Sequence, residues 1–230
     1  MEVESNACES TVCVVYADSD IIVLDKPAGL LSVPGRGPDK QDCLSARVQA
    51  RYSDARVVHR LDMATSGLIV MARGLSNQRV LSEAFASRKV AKQYEAVVKG
   101  ALPVLGDAWQ QIDMPIGVDW PNRPRRKIDW ERGKASTTRW LALEFDARLN
   151  VTHVKLEPLT GRTHQLRIHM MAIGHPILGD HLYAPPDVVA LSERLMLHAY
   201  ALSFEHPTRA EALTFTAQHL KCTGEPHTER

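Results

Sequence analysis

Hydrophobic residues fall in short runs broken by Pro, Gly and charge, and the spacing within each run predicts its element. Two β-rich runs, Cys13–Tyr16 and Ile21–Asp25, flank the turn-forming Ala17-Asp18-Ser19-Asp20. Lys26-Pro27-Ala28-Gly29 and Val33-Pro34-Gly35-Arg36-Gly37-Pro38 hold too much Pro and Gly for regular structure. Leu44, Val48 and the stem of Arg51 recur at helical spacing, predicting a helix from Asp42 to Tyr52 with Asp42 as N-cap. Gly67–Ala72 is a continuous apolar run, the mark of a central strand buried on both faces. Ser76 then caps a helix with an apolar stripe of Val80, Leu81, Ala84 and Phe85, closed by Arg88 and Lys89. Further strands are expected at Tyr94–Val98, Thr137–Phe145, Val151–Leu156, Leu195–Phe204 and Leu213–Thr216. A helix is expected at Thr163–Ile173, ended by Gly174 and Pro176.

Strands arrive in groups with few helices between them. That order predicts an α+β fold with a mixed, largely antiparallel central sheet and flanking helices and loops. One domain over residues 12–217 is expected, with tails at 1–11 and 218–230. The composition, 44% hydrophobic and 24% charged over 230 residues, is that of a folded chain. No apolar stretch approaches the roughly 20 residues of a membrane span, and the acidic N-terminus does not read as a signal peptide, so a cytoplasmic location is expected. The four cysteines form no CxxC pair and read as reduced thiols. Lys and Arg total 28 against 27 Asp and Glu, a net charge of +1, so any polyanion must be held by a local patch.

Three polar clusters are candidates for chemistry. Val57-Val58-His59-Arg60-Leu61-Asp62-Met63-Ala64-Thr65-Ser66-Gly67 sets charge between two apolar runs. It fits either a turn bonded to its own backbone or a carboxylate held rigidly at a strand end. Thr160-Gly161-Arg162-Thr163-His164-Gln165-Leu166-Arg167 puts two arginines near a helix start, the unfavourable end for cations, which fits either a carboxylate or a phosphate nearby or an exposed loop with Arg167 in a surface i,i+4 arrangement. In the third, residues 121–139 carry seven basic residues, including Arg123, Arg125 and Arg126, against two acidic. All four tryptophans (Trp109, Trp120, Trp130, Trp140) lie in or beside that stretch. Phosphate contact with some base stacking accounts for the mix, as does a solvated loop with its tryptophans packed beneath. Tyr94 reads by default as a core-facing strand aromatic. There is no GxGxxG, P-loop, HExxH or GxSxG motif, and His164 and His169 are five apart, so no metal or cofactor is expected.

Together these segments resemble the RluA-type pseudouridine synthases. The likeness runs through His59-Arg60-Leu61-Asp62-Met63-Ala64-Thr65-Ser66-Gly67, Lys92-Gln93-Tyr94 and Gly161-Arg162-Thr163-His164-Gln165-Leu166-Arg167. It continues in His175-Pro176-Ile177-Leu178-Gly179-Asp180 and Leu197-His198-Ala199, while Asp119-Trp120-Pro121-Asn122-Arg123-Pro124 points to the small dual-specificity branch. The resemblance implies the catalytic fold of that family, without an S4-type RNA-binding domain. It implies a cofactor-free isomerisation in which the uridine C1′–N1 bond breaks, the uracil turns, and C5 is joined to C1′.

By family position Asp62 is the catalytic carboxylate and Arg162 its positive partner, while Tyr94 stacks on the uracil and Leu197 forms an apolar wall. The target base must be flipped out of the RNA stack, and Arg60 is the candidate to fill the gap. His59, Thr65 and Arg167 join the implied substrate-binding set, with Arg123, Arg125 and Arg126 on the phosphates. The implied partners are RNA alone, namely 23S ribosomal RNA and a tRNA anticodon stem-loop. A monomer with no membrane and no obligatory protein partner is expected. Two other classes compete. A non-catalytic RNA-binding module has no need of an ionised carboxylate facing RNA. A glycoside or nucleoside hydrolase normally uses two carboxylates, and the matched segments supply no second acid.

Overall fold

Ile21–Leu24 and Leu68–Ala72 have almost no accessible surface, and one half of the protein is arranged around them. The structure is a computed structural model that describes residues 8–9 and 12–220. Its strands are β1 (Cys8–Glu9), β2 (Val12–Ala17), β3 (Ile21–Lys26), β4 (Ala55–Val57), β5 (Ser66–Arg73), β6 (Ala91–Lys99), β7 (Gln110–Asp113), β8 (Ile116–Val118), β9 (Arg126–Ile128), β10 (Thr137–Asp146), β11 (Val151–Pro158), β12 (Leu197–Glu205) and β13 (Ala212–Thr216). The helices are α1 (Leu44–Arg51), α2 (Gly74–Ala86), α3 (Gln165–Ala172) and α4 (Pro186–Val189). The chain forms two compact units, one of residues up to Lys92 with Ala199–Ala217, the other of Gln93–His198 and the segment from Gln218.

In the first unit the strand order is β1-β2-β3-β5-β12, with β4 on β5 and β13 on β12. The pairs β1–β2, β2–β3, β3–β5, β4–β5 and β12–β13 are all antiparallel. β5 is buried along nearly its whole length, as its unbroken apolar run predicts. Its core cluster joins Ile21, Val23, Leu68, Val70, Leu81, Leu202 and Phe204. Within the expected N-terminal tail, Cys8–Glu9 pair with Val12 and Cys13.

The second unit has the order β6-β11-β10-β7, antiparallel throughout, and a separate antiparallel hairpin, β8–β9. Helix α3 ends in a Schellman motif: His175 N–H reaches Met170 O (2.9 Å) and Gly174 N–H reaches Met171 O (3.0 Å), with Gly174 at φ 87°. From the expected C-terminal tail, Leu220 is buried and its N–H donates to the Glu95 carboxylate at 2.9 Å. The other tail residues, 1–7, 10–11 and 221–230, lie outside the described residues. No helix among the described residues is long and apolar enough to cross a membrane.

Helix starts differ most from expectation. Asp42 does not cap α1; the N-cap is Cys43, and the Asp42 carboxylate instead pairs with Arg47 at 2.6 Å. Ser76 does not cap α2 either, because Gly74, at φ 73°, turns the chain straight from β5 into the helix, two residues earlier. Val80 is 47% exposed while Leu81 is fully enclosed, so the apolar stripe of α2 is narrower than its sequence suggests. The helix stops at Ala86, and Arg88 lies beyond it in a left-handed conformation at φ 61°. Helix α3 starts at Gln165 rather than Thr163, because His164 takes φ 58° and breaks the helical path.

One glycine marks how tightly the first unit is built. Gly67 sits at φ 107° with the backbone of Ala199 pressed against it, and a Cβ there would lie 2.6 Å from Ala199 N. Gly67→Ala is expected to destabilise the protein by more than about 3 kcal/mol, since neither the backbone angle nor the neighbour can yield. Urea unfolding against wild type measures it; a loss under 1 kcal/mol would contradict this close approach.

Candidate active site

The HRLD segment folds as an irregular loop leading into β5, and its main chain is fixed from several directions. Ser32 Oγ donates to Leu61 O at 2.8 Å and accepts Leu61 N–H at 3.1 Å. Gly29 N–H and the Lys26 ammonium both reach Met63 O, at 2.8 and 3.2 Å. Asp62 O accepts Thr65 N–H at 3.1 Å. The residues before and after Asp62 are therefore held, and Asp62 itself is half-buried. Arg60 is exposed on this loop, and Thr65 is buried.

Lys26, which its sequence context placed in a Pro/Gly turn, is the last residue of β3 and is 0% exposed. Its ammonium donates to Pro27 O (2.8 Å), Leu30 O (2.9 Å) and Met63 O (3.2 Å), which accounts for all three of its protons. Burial draws its pKa down to about 8, and the Asp62 and Asp25 carboxylates oppose that shift. Sequence reasoning missed this buried cation beside the HRLD loop. The available signal was the alternation Ile22, Leu24, Lys26 continuing β3 on one face.

His59 is placed as a prop for this loop. Its Nε2 accepts Val70 N–H at 3.0 Å, and its ring stacks on Phe85 at 4.2 Å. Burial, helped by the Lys92 charge, pushes its pKa down to about 3, so the ring is neutral at physiological pH.

In the second unit, Gln165 organises the GRTHQLR segment. Its Oε1 accepts Thr160 Oγ1 (2.8 Å) and Arg162 N–H (3.0 Å), and its Nε2 donates to Thr137 O (2.9 Å) and Thr138 Oγ1 (3.0 Å). The backbone of Arg162 is thereby fixed while its side chain stays exposed, with Nε 3.5 Å from Ala135 O. Tyr94 is half-buried on β6, paired with Leu156 of β11, and Leu197 is buried at the start of β12. Arg167 is buried: its guanidinium makes a bidentate pair with Asp180 (2.8 and 2.6 Å), and both side chains are almost wholly enclosed. The two arginines near the helix start thus find different answers to the unfavourable dipole, and for Arg167 it is a protein carboxylate.

The basic stretch forms the β8–β9 hairpin and the loop after it. Trp120 and Trp130 are 67% and 71% exposed, whereas Trp140 is buried. The Arg123 guanidinium lies 3.6 Å from the Trp120 ring centroid, a cation–π stack at the hairpin tip. Arg123 and Arg125 are exposed; Arg126 is half-buried. The two tryptophans nearest these arginines face solvent and are not packed beneath the loop.

Lys26 yields a test with a definite sign. Between about 8 and 10.5 the unfolded chain still holds a proton that the folded chain has released, so this residue's contribution to stability rises with pH across that window. Below it, both states are protonated and the burial penalty is complete. The unfolding free energy of wild type minus that of Lys26→Met is expected to grow by about 2–3 kcal/mol from pH 7.5 to pH 10.5. Urea unfolding at the two pH values reads this difference; a flat or falling one would mean Lys26 titrates normally.

A sequence profile of the RNA pseudouridylate synthases matches residues 20–172. The dual-specificity RNA pseudouridine synthase RluA of Haemophilus ducreyi is 47% identical over 204 residues, 89% of this chain and 91% of that protein. RluA of Escherichia coli K12 is 46% identical over 210 residues, 91% and 94% of the two chains. The structure of human RNA pseudouridylate synthase domain containing 1 superposes with a TM-score of 0.75 at 29% identity, covering 94% of this chain and 86% of its own. These matches span the HRLD loop, the strand bearing Tyr94 and the GRTHQLR segment, and the chain belongs to the RNA pseudouridylate synthase family.

Proposed function

We propose that Asp62 is the single catalytic carboxylate of a uridine-to-pseudouridine isomerisation in 23S ribosomal RNA and in a tRNA anticodon stem-loop. The observation that carries this reading is the loop around Asp62: a half-buried carboxylate, main chain fixed on both sides, under the field of a buried ammonium. A negative group that meets polyanionic RNA needs such positive compensation to stay ionised, and a fixed backbone to stay in place. Arg162 supplies a second positive charge, Tyr94 stacks on the uracil, Leu197 forms an apolar wall, and Arg60 fills the gap left by the flipped base. The products balance as an isomer: C1′ exchanges its bond to N1 for one to C5, C5 gives up a proton and N1 gains one. His59, Thr65 and Arg167 serve this site by holding the loop and helix that present it. The dual substrate range rests on the 46–47% identity to relatives named for it. A cytoplasmic monomer acting without a protein partner completes the reading.

Asp62→Asn is expected to abolish pseudouridine formation while RNA affinity stays within about tenfold, ~1.4 kcal/mol. Wild-type turnover by that variant would sink the assignment. Unchanged product mass with mapped pseudouridine is the expected readout on both RNA classes, whereas free uracil would point to a hydrolase. For the hairpin, replacing Arg123, Arg125 and Arg126 together by Ala is expected to weaken RNA binding and lower the log–log salt slope by about 2. Binding titrations at several salt concentrations measure this, and an unaltered slope would return the hairpin to a plain solvated loop.

A further inference from the structure

Tyr183 lies in none of the segments considered so far, yet its hydroxyl joins two of them. We infer that Tyr183 is a positioning residue that ties the basic hairpin to the loop carrying Arg162, so that the hairpin's grip on RNA is passed to that arginine. The inference rests on the proposed role of Arg162.

Its Oη accepts the backbone N–H of Arg126, the first residue of β9, at 2.9 Å. The same Oη lies 2.6 Å from His164 Nδ1. A phenol has one proton and two acceptor sites, so both bonds form at once, one received from the hairpin and one shared with the histidine. The ring cannot swing away to break them. Leu182 and Tyr183 N–H both donate to Asp180 Oδ1 (3.0 and 3.2 Å), and Asp180 is held by the buried Arg167 pair. The Arg167 guanidinium lies 5.2 Å from the Tyr183 ring centroid, and the His164 ring meets it edge-on at 5.6 Å. Tyr183 is a rigid post, braced from helix α3.

The His164 end of the link is the informative one. His164 sits at φ 58°, a left-handed conformation that a side chain adopts only when its surroundings impose it. Its ring anchor is the Tyr183 hydroxyl. One residue on, Gln165 holds the backbone N–H of Arg162, and Gln165 N–H returns to Arg162 O at 3.1 Å. Hydrogen bonds therefore run from Arg126 through Tyr183 to His164 and from Gln165 to Arg162, the two halves joined by the His164–Gln165 peptide bond. Displacing the hairpin pulls on the bond that fixes the His164 conformation, and so on the turn that sets the direction of Arg162.

Tyr183→Phe keeps the ring and removes only the hydroxyl. With saturating substrate RNA under single-turnover conditions, the variant is expected to lose about tenfold in rate with less than threefold change in RNA affinity, at near wild-type melting temperature. The decisive measurement is its coupling to Arg125→Ala. In the wild-type background, Arg125→Ala should lower both affinity and saturating rate; in the Tyr183→Phe background it should lower affinity alone. An Arg125→Ala rate effect of equal size in both backgrounds, or a wild-type saturating rate for Tyr183→Phe, overturns the inference. His164→Gly, which accepts φ 58° without a side chain, is the second variant: it should uncouple the hairpin in the same way, and a retained coupling would also overturn it. Failure of the underlying reading shows separately, as an Arg162→Ala variant with undiminished saturating rate.

Discussion

The HRLD loop of the first unit depends on one buried ammonium. A full charge with no access to solvent is tolerable only where acceptors replace the lost water. Lys26 meets that condition with three carbonyls taken from Pro27, Leu30 and Met63. Two of those carbonyls are local and the third, of Met63, lies 37 residues beyond the lysine, so satisfying one cation forces the KPAG turn and the HRLD loop around a common point. The consequence for Asp62 is twofold. Its main chain is positioned by a requirement of burial rather than by its own side chain. And because the carbonyls take every ammonium proton, Lys26 acts on the carboxylate through its field alone.

The second unit solves a related problem without burying a charge. Gln165 uses its amide in four hydrogen bonds, two received and two given, so it is a fully satisfied buried polar group and a rigid one. This neutral lock holds the main chain of Arg162 and leaves its side chain exposed. Arg167, one turn into the helix, shows the contrast. There a carboxylate is present, the guanidinium is consumed, and the residue becomes architecture.

Much of the framework was legible in the chain because burial leaves a clear trace. Ile21–Leu24 of β3 and Leu68–Ala72 of β5 are unbroken apolar runs, and β11 alternates as its pairing with β6 and β10 requires. Gly174 announced the end of α3 by the same logic, since the left-handed closing position favours glycine. Helix starts were misread because Asp42 and Ser76 satisfy the statistics of an N-cap while other bonds, or a glycine, determine the actual entry. The short strand β7 is held by β10, whose paired residues lie some 24 or more positions later, and β8 and β9 are three residues each, too short to leave a periodic trace. The site divides likewise. The HRLD and GRTHQLR clusters stand out as polar islands, but what Lys26, Gln165 and Tyr183 do follows from three-dimensional partners. In IVLDKPAG the alternation of Ile22, Leu24 and Lys26 gives the lysine's face but not the three carbonyls that receive it, and nothing around Tyr183 says that its hydroxyl will meet the N–H of a residue 57 positions earlier.

A protein with a net charge of +1 has no global field with which to gather RNA, and this decides where recognition must reside. Concentrating exposed arginines on one two-stranded hairpin creates a field of short range, effective within about 10 Å at ordinary ionic strength. Such a field acts only after near contact, when shape already restricts the encounter. A bare cationic tip would hold any polyanion equally. Trp120, with one face against Arg123, and the solvent-facing Trp130 add surfaces that reward an unstacked base and leave a regular duplex unrewarded. Charge alone cannot make that distinction; if the hairpin meets RNA as proposed, charge interleaved with exposed indoles favours loop RNA, where a target uridine is least costly to extrude.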